Sequence, residues 1–170
     1  MIEILRQRRS IRKYKNKKIE GEKVKILKEA AVRSPTSRNY MPWNFYFVEN
    51  KKIIEELSTC KPHGALFLAN APLAIVVTGD ENKSDVWIED CSIASINLQL
   101  TAQTLGLGSC WIQVRKRFYN KDVPSGEYIR KFFDFGEKQQ VLSIIAIGYP
   151  DEERSGLEER RLNYDAIHNF

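Results

Sequence analysis

Apolar positions recur along the chain with two periods. Val24, Leu27 and Ala31 fall at helical spacing within Glu22 to Val32, with Lys25, Lys28 and Glu29 between them. That stretch, and the shorter Ile2 to Arg9, are expected to be amphipathic helices. Trp43 to Val48 is aromatic and β-branched, as a strand is. Lys51 to Cys60 suits a short helix, and Pro72 to Thr78 (PLAIVVT) a strand covered on both faces. From Val86 to Leu105 the residues are apolar or small nearly all round, with larger polar ones limited to Glu89, Asp90, Asn97, Gln99 and Gln103. This predicts a core helix closed by Gly106 and Gly108, which either fills a monomer core or sets one face on its own sheet and the other on a symmetric partner. Cys110 to Val114 and Val141 to Ile147 are further buried strands, separated by a helix over Pro124 to Phe133 whose Tyr128, Phe132 and Phe133 face inward. Helices and strands alternate without a regular βαβ cadence, so the pattern favours an α+β sandwich with a mixed sheet.

A length of 170 residues with scattered Gly and Pro, no repeat and no linker predicts a single domain. Three cysteines, Cys60, Cys91 and Cys110, are too few for a disulfide scaffold and lack zinc-knuckle spacing. With no apolar run of about 18 residues and no signal-like opening, the expected setting is the cytoplasm, with no membrane partner and no metal.

Charge changes the picture locally. The 27 basic residues exceed the 22 acidic ones, for a formal +5. Arg6 to Lys18 alone reads RQRRSIRKYKNKK. A solvated basic face or a nucleic-acid patch is the plain reading, and a small-molecule phosphate site stands beside it at even weight. The pattern is not uniform: Arg8, Ser10 and Arg12 place two guanidinium forks and a hydroxyl at alternate positions, hence on one side of an extended segment. A compact anion such as a phosphate monoester suits that geometry better than a duplex backbone, and no RNP-type or zinc-finger signature supports nucleic acid.

The segment Arg8-Arg9-Ser10-Ile11-Arg12-Lys13-Tyr14 resembles the opening motif of the FMN-dependent nitroreductase superfamily. Ser34-Pro35-Thr36-Ser37-Arg38-Asn39-Tyr40-Met41-Pro42-Trp43 is similar to its second motif. The long helix running into Leu105-Gly106-Leu107-Gly108-Ser109-Cys110-Trp111-Ile112, and Ile147-Gly148-Tyr149-Pro150, complete four landmarks in the family's order. The resemblance implies a three-layer α+β sandwich with a mixed, mostly antiparallel sheet, assembled as a domain-exchanged homodimer with FMN at the interface. It implies NAD(P)H as reductant, hydride transfer to flavin N5, and onward ping-pong transfer to an electron-poor acceptor such as a nitroaromatic or quinone.

Carried over residue by residue, Arg8 and Ser10, with Arg9 beside them, would hold the FMN phosphate, and Arg12 would lie near the pyrimidine edge. Pro35, Thr36, Ser37 and Asn39 would come from the partner subunit. The backbone of Trp111, Ile112 and Gln113 would pass the N5 side, and Arg160 with Arg161 would close on the phosphate from the tail. The chain departs from the family at Met41, where glutamine is frequent, and at Gln113 and Val114, where glycine follows. The resemblance leaves no role for a side-chain acid or nucleophile. His168 is expected to be a surface or packing residue, Cys91 and Cys110 to lie in the core, and Trp111 alone among the tryptophans to lie against the flavin. Two readings compete: a basic nucleic-acid- or anion-binding module worked by Arg6 to Lys18, and a flavin-binding sensor without catalysis.

Overall fold

The computed structural model describes all 170 residues. Four strands, β1 (Trp43–Val48), β2 (Leu73–Asp80), β3 (Gly108–Gln113) and β4 (Gln139–Gly148), form one sheet in the order β1-β2-β4-β3. Every neighbouring pair is antiparallel. The parallel element of the expected mixed sheet is a single isolated bridge, Ser10 to Ser109, on the outer edge of β3. The continuous apolar runs occupy the central strands: Leu73–Gly79 and Val141–Gly148 are buried on both faces.

Two apolar layers follow from the alternation of side chains across these strands. Leu73, Ile75, Val77, Ile145 and Ile147 meet Leu27, Ala31, Leu98 and Ala102 of helices α2 (Gly21–Val32) and α4 (Trp87–Thr104). Ala74, Val76, Ile112, Ile144 and Ala146 meet Ile54 and Leu57 of α3 (Lys51–Ser58) and Ile129 of α5 (Ser125–Arg130). The periodic residues of α2 are its buried ones, each fully buried leucine stabilising by about 1.5–3 kcal/mol. Asn50 caps α3, its side chain accepting from the backbone N–H groups of Lys52 and Ile53 at 3.0 and 3.3 Å.

Three details differ from the pattern-based expectation. Helix α5 stops at Arg130 because the guanidinium there donates to the carbonyls of Phe135, Gly136 and Gln139, so the chain wraps round it. Gly106 alone ends α4, at φ +71 in the left-handed region, and Gly108 already belongs to β3. Helix α1 (Ile2–Gln7) buries none of its residues, leaving Ile2 and Leu5 exposed. The outer face of α4 likewise shows Ile93 and Ile96 to solvent. No helix is long and apolar enough to cross a membrane.

Candidate active site

The basic segment is held as an extended strap over the start of β3 and the end of β4. Ile11 and Tyr14 are its buried anchors. The N–H of Ile11 donates to Ser109 O at 3.0 Å, that of Lys15 to Tyr149 O at 2.9 Å, and the Tyr14 hydroxyl to Ile11 O at 2.6 Å. Burial drives the Tyr14 phenol well above its ordinary range, keeping it a neutral donor.

With Ile11 turned inward, Ser10 and Arg12 turn the other way. Burial pushes Cys110 above the ordinary thiol range, and Arg12, the Ser10 hydroxyl, Arg8 and Lys61 all act on that sulfur in the opposite direction. These donors flank β3 along its length, Ser10 bridging Ser109 at its start and Lys61 Nζ donating to Gln113 O at its end. No carboxylate lies within 4.0 Å of the Arg8, Arg9, Arg12 or Lys61 side chains, whereas Arg6, Arg33, Arg154 and Arg160 each have one. Forked cations without an anion of their own, beside a hydroxyl, match the donor set a phosphate monoester requires.

The second motif lies elsewhere. Ser37 donates its N–H to Asp90 Oδ1 at 2.8 Å, and Asp90 accepts from Ser84 Oγ at 3.1 Å, so Pro35, Thr36, Ser37 and Asn39 are tied to the first turn of α4. Arg38, Asn39 and Met41 adopt positive φ there, which sharpens the loop. Ser10 sits at the other end, where the N–H of Leu107 closes on Ala102 O. Their anchors on α4, Asp90 and Ala102, are twelve positions apart, about 18 Å along the helix axis.

On β3, Ile112 is buried in the α3 layer, so only its backbone is available to a ligand. Trp111 is half-buried on the α4 face, and its Nε1 donates to Gln113 Oε1 at 2.9 Å. Gln113 Nε2 donates to Arg115 O at 2.9 Å, so the Gln113 side chain is committed within the protein, and Lys61 Nζ donates to the Gln113 backbone carbonyl at 3.0 Å. The tail crosses α1 with Gly156 against Arg6 O, and a cleft of about 670 Å³ lies between them, lined among others by Arg8, Arg9, Leu157 and Leu162. Arg160 and Arg161 stand outside that lining, and Arg160 pairs with Glu158 at 2.6 Å. A cleft of about 740 Å³ beyond the far end of β3, near Trp87, Arg115 and Arg130, contains none of the sequence-predicted site residues.

A family model described as "Nitroreductase family" matches residues 5–61 and 56–149. The chain belongs to the nitroreductase family. An FMN-dependent nitroreductase of Clostridium difficile R20291 is 46% identical, with each chain covered in full and a TM-score of 0.97. A nitroreductase family protein of Clostridium difficile 630 is 27% identical with a TM-score of 0.82, over 100% of this chain and 97% of that one. Among curated relatives, a Methanothermobacter thermautotrophicus protein named "Putative NADH dehydrogenase/NAD(P)H nitroreductase" is 36% identical over 155 residues, 89% of this chain and 78% of its own.

In this nitroreductase three polar residues escape a reading of the sequence. Lys61 reaches the cluster because α3 and the turn after it fold beneath β3, a contact across 52 positions to Gln113 that no local pattern signals. Nothing in the local sequence marks Glu152 or Asp90, yet Glu152 accepts the backbone N–H groups of Arg12 and Lys13 and Asp90 accepts that of Ser37. Hydrogen bonds from the backbone of Arg12 hold the Glu152 carboxyl below its ordinary range, and the Tyr149 hydroxyl holds that of Glu20 at about 2. Depressed carboxyls stabilise the folded state above the unfolded-state pKa and lose that contribution as pH falls through the folded-state value. Urea midpoints should therefore be level near neutrality and fall as pH drops below about 4.5, less steeply in a Glu20→Gln, Glu152→Gln double variant.

Proposed function

We propose that this nitroreductase works as a homodimer holding FMN between two copies, and that it passes reducing equivalents from NAD(P)H to an electron-poor acceptor such as a nitroaromatic or quinone. It is an FMN-dependent NAD(P)H oxidoreductase. The observation that carries the site assignment is the cluster of Arg8, Ser10, Arg12 and Lys61 without a carboxylate, at the opposite end of α4 from the Pro35–Asn39 loop. A two-fold axis beside α4 sets the loop of one copy against the cluster of the other, and closes the apolar positions Ile93, Ile96, Ile2 and Leu5 that a lone chain leaves exposed.

When bound, FMN supplies a ring nitrogen that accepts hydride from the nicotinamide and gives reducing equivalents on. The protein binds and orients. Arg8 and Ser10, with Arg9 beside them, grip the phosphate; Arg12 holds permanent positive charge at the pyrimidine edge, which favours the reduced form. The backbone of Trp111, Ile112 and Gln113 lines one side of the ring, while Pro35, Thr36, Ser37 and Asn39 of the second copy cover the other. Arg160 and Arg161 belong near the phosphate once the tail lies in the dimer. The whole chain acts as one unit, and three free, buried thiols suit the reducing cytoplasm.

Purified protein should be yellow, release FMN on denaturation, bleach under nitrogen on addition of NADPH or NADH, and scatter as a dimer. A colourless, folded protein that ignores added FMN would reject the proposal.

A further inference from the structure

Arg12 has no side-chain partner to aim it: its guanidinium meets only the Phe67 ring, 5.8 Å from the centroid. Its direction is therefore set from the backbone. The backbone there is clamped by one oxygen, because Glu152 Oε1 accepts the N–H of Arg12 at 2.5 Å and that of Lys13 at 3.1 Å. The other oxygen, Oε2, accepts from Arg154 Nε at 2.8 Å, so the carboxylate cannot rotate freely. Its side chain is only 12% exposed. Around it the strap and the segment after β4 are zipped together: Asp151 N–H donates to Lys13 O at 2.9 Å, and Tyr14 bridges Pro150.

We propose that Glu152 is a positioning residue for the cofactor site, holding two consecutive strap amides so that Arg12 projects toward the flavin edge. The inference rests on the FMN reading above. Glu152 touches neither ligand nor acceptor; it acts through the Arg12 backbone. A charged acceptor serving two adjacent amides confines the peptide plane more than either bond alone, and bonds to charged groups are among the stronger ones in proteins.

The experiment measures FMN affinity of the apoprotein by flavin fluorescence quenching, with the midpoint potential of the bound flavin. Glu152→Ala should weaken FMN roughly tenfold and move the potential downward, as Arg12→Ala does. In an Arg12→Ala background Glu152→Ala should change neither quantity further, since there is no guanidinium left to aim. Glu152→Gln keeps one oxygen for the two N–H groups but loses the charge and the acceptor for Arg154, and should fall between the wild type and Glu152→Ala. Faster hydrogen exchange at the Arg12 and Lys13 amides of the Glu152→Ala apoprotein should accompany the loss. Equal affinity and potential in Glu152→Ala, or the same penalty with and without Arg12, overturns the positioning role. Failure of the wild-type protein to bind FMN overturns the reading beneath it, and is seen before any variant is made.

Discussion

Arg8→Ala should weaken FMN binding by about tenfold to a hundredfold while leaving the melting temperature nearly unchanged. Two facts set the asymmetry. The Arg8 side chain forms no ion pair within the protein, so folding does not depend on it, and its backbone N–H still donates to Ile4 O at 2.8 Å. Against a phosphate, a guanidinium gives charge-assisted bonds worth about 1.5–3 kcal/mol, and about 1.4 kcal/mol is a factor of ten in affinity. Arg8→Lys should fall between, since an ammonium keeps the charge and loses the fork. Titration of apoprotein with FMN and a thermal melt by circular dichroism separate the two quantities. Unaltered affinity would remove the phosphate grip from the amino-terminal strap.

Gly108→Val should cost about 3 kcal/mol of stability and disturb the strap as well. A Cβ at Gly108 would lie 2.8 Å from Ile11 Cβ and Cγ1. Ile11 Cβ is bonded directly to the strap backbone, so no rotation of the side chain relieves the contact. The strap must lift, carrying Ser10 and Arg12 with it. Gly108 is paired across the sheet with Gly148, whose own Cβ would meet Tyr14 Cδ1 at 2.8 Å and Pro72 Cδ at 2.6 Å. The strap thus crosses the sheet over two glycines. Gly21→Ala is the control, since nothing lies within 4 Å of that position. Urea unfolding and FMN titration should both respond in Gly108→Val and neither in Gly21→Ala. A Gly108→Val protein as stable as the wild type would mean the strap is not packed as described.

The legible parts of the molecule are those whose cause is local. The 3.6-residue period of Val24, Leu27 and Ala31 makes a helix wherever a sheet lies beside it, and the unbroken apolar run of Leu73 to Val77 makes a strand covered twice. The bounds of β1 agree residue for residue with the aromatic run Trp43 to Val48. In sequence Gly108 resembles a helix cap, because glycine serves left-handed turns and close contacts alike, and only the position of Ile11 tells them apart. The apolar period of Phe132 and Phe133 continues past the end of α5, although the chain has already turned around Arg130.

By itself the order of residues determined that this protein would be a layered α+β molecule with an alternating arginine, serine, arginine segment suited to a compact anion. Side-chain chemistry and short-range periodicity suffice for that much. Folding alone decided that Lys61 and Glu152 join the segment, that Asp90 pins the second motif, and that the two motifs lie at opposite ends of α4. Such contacts join residues dozens of positions apart, and their free energy depends on how two cores close over one sheet, which no local pattern encodes.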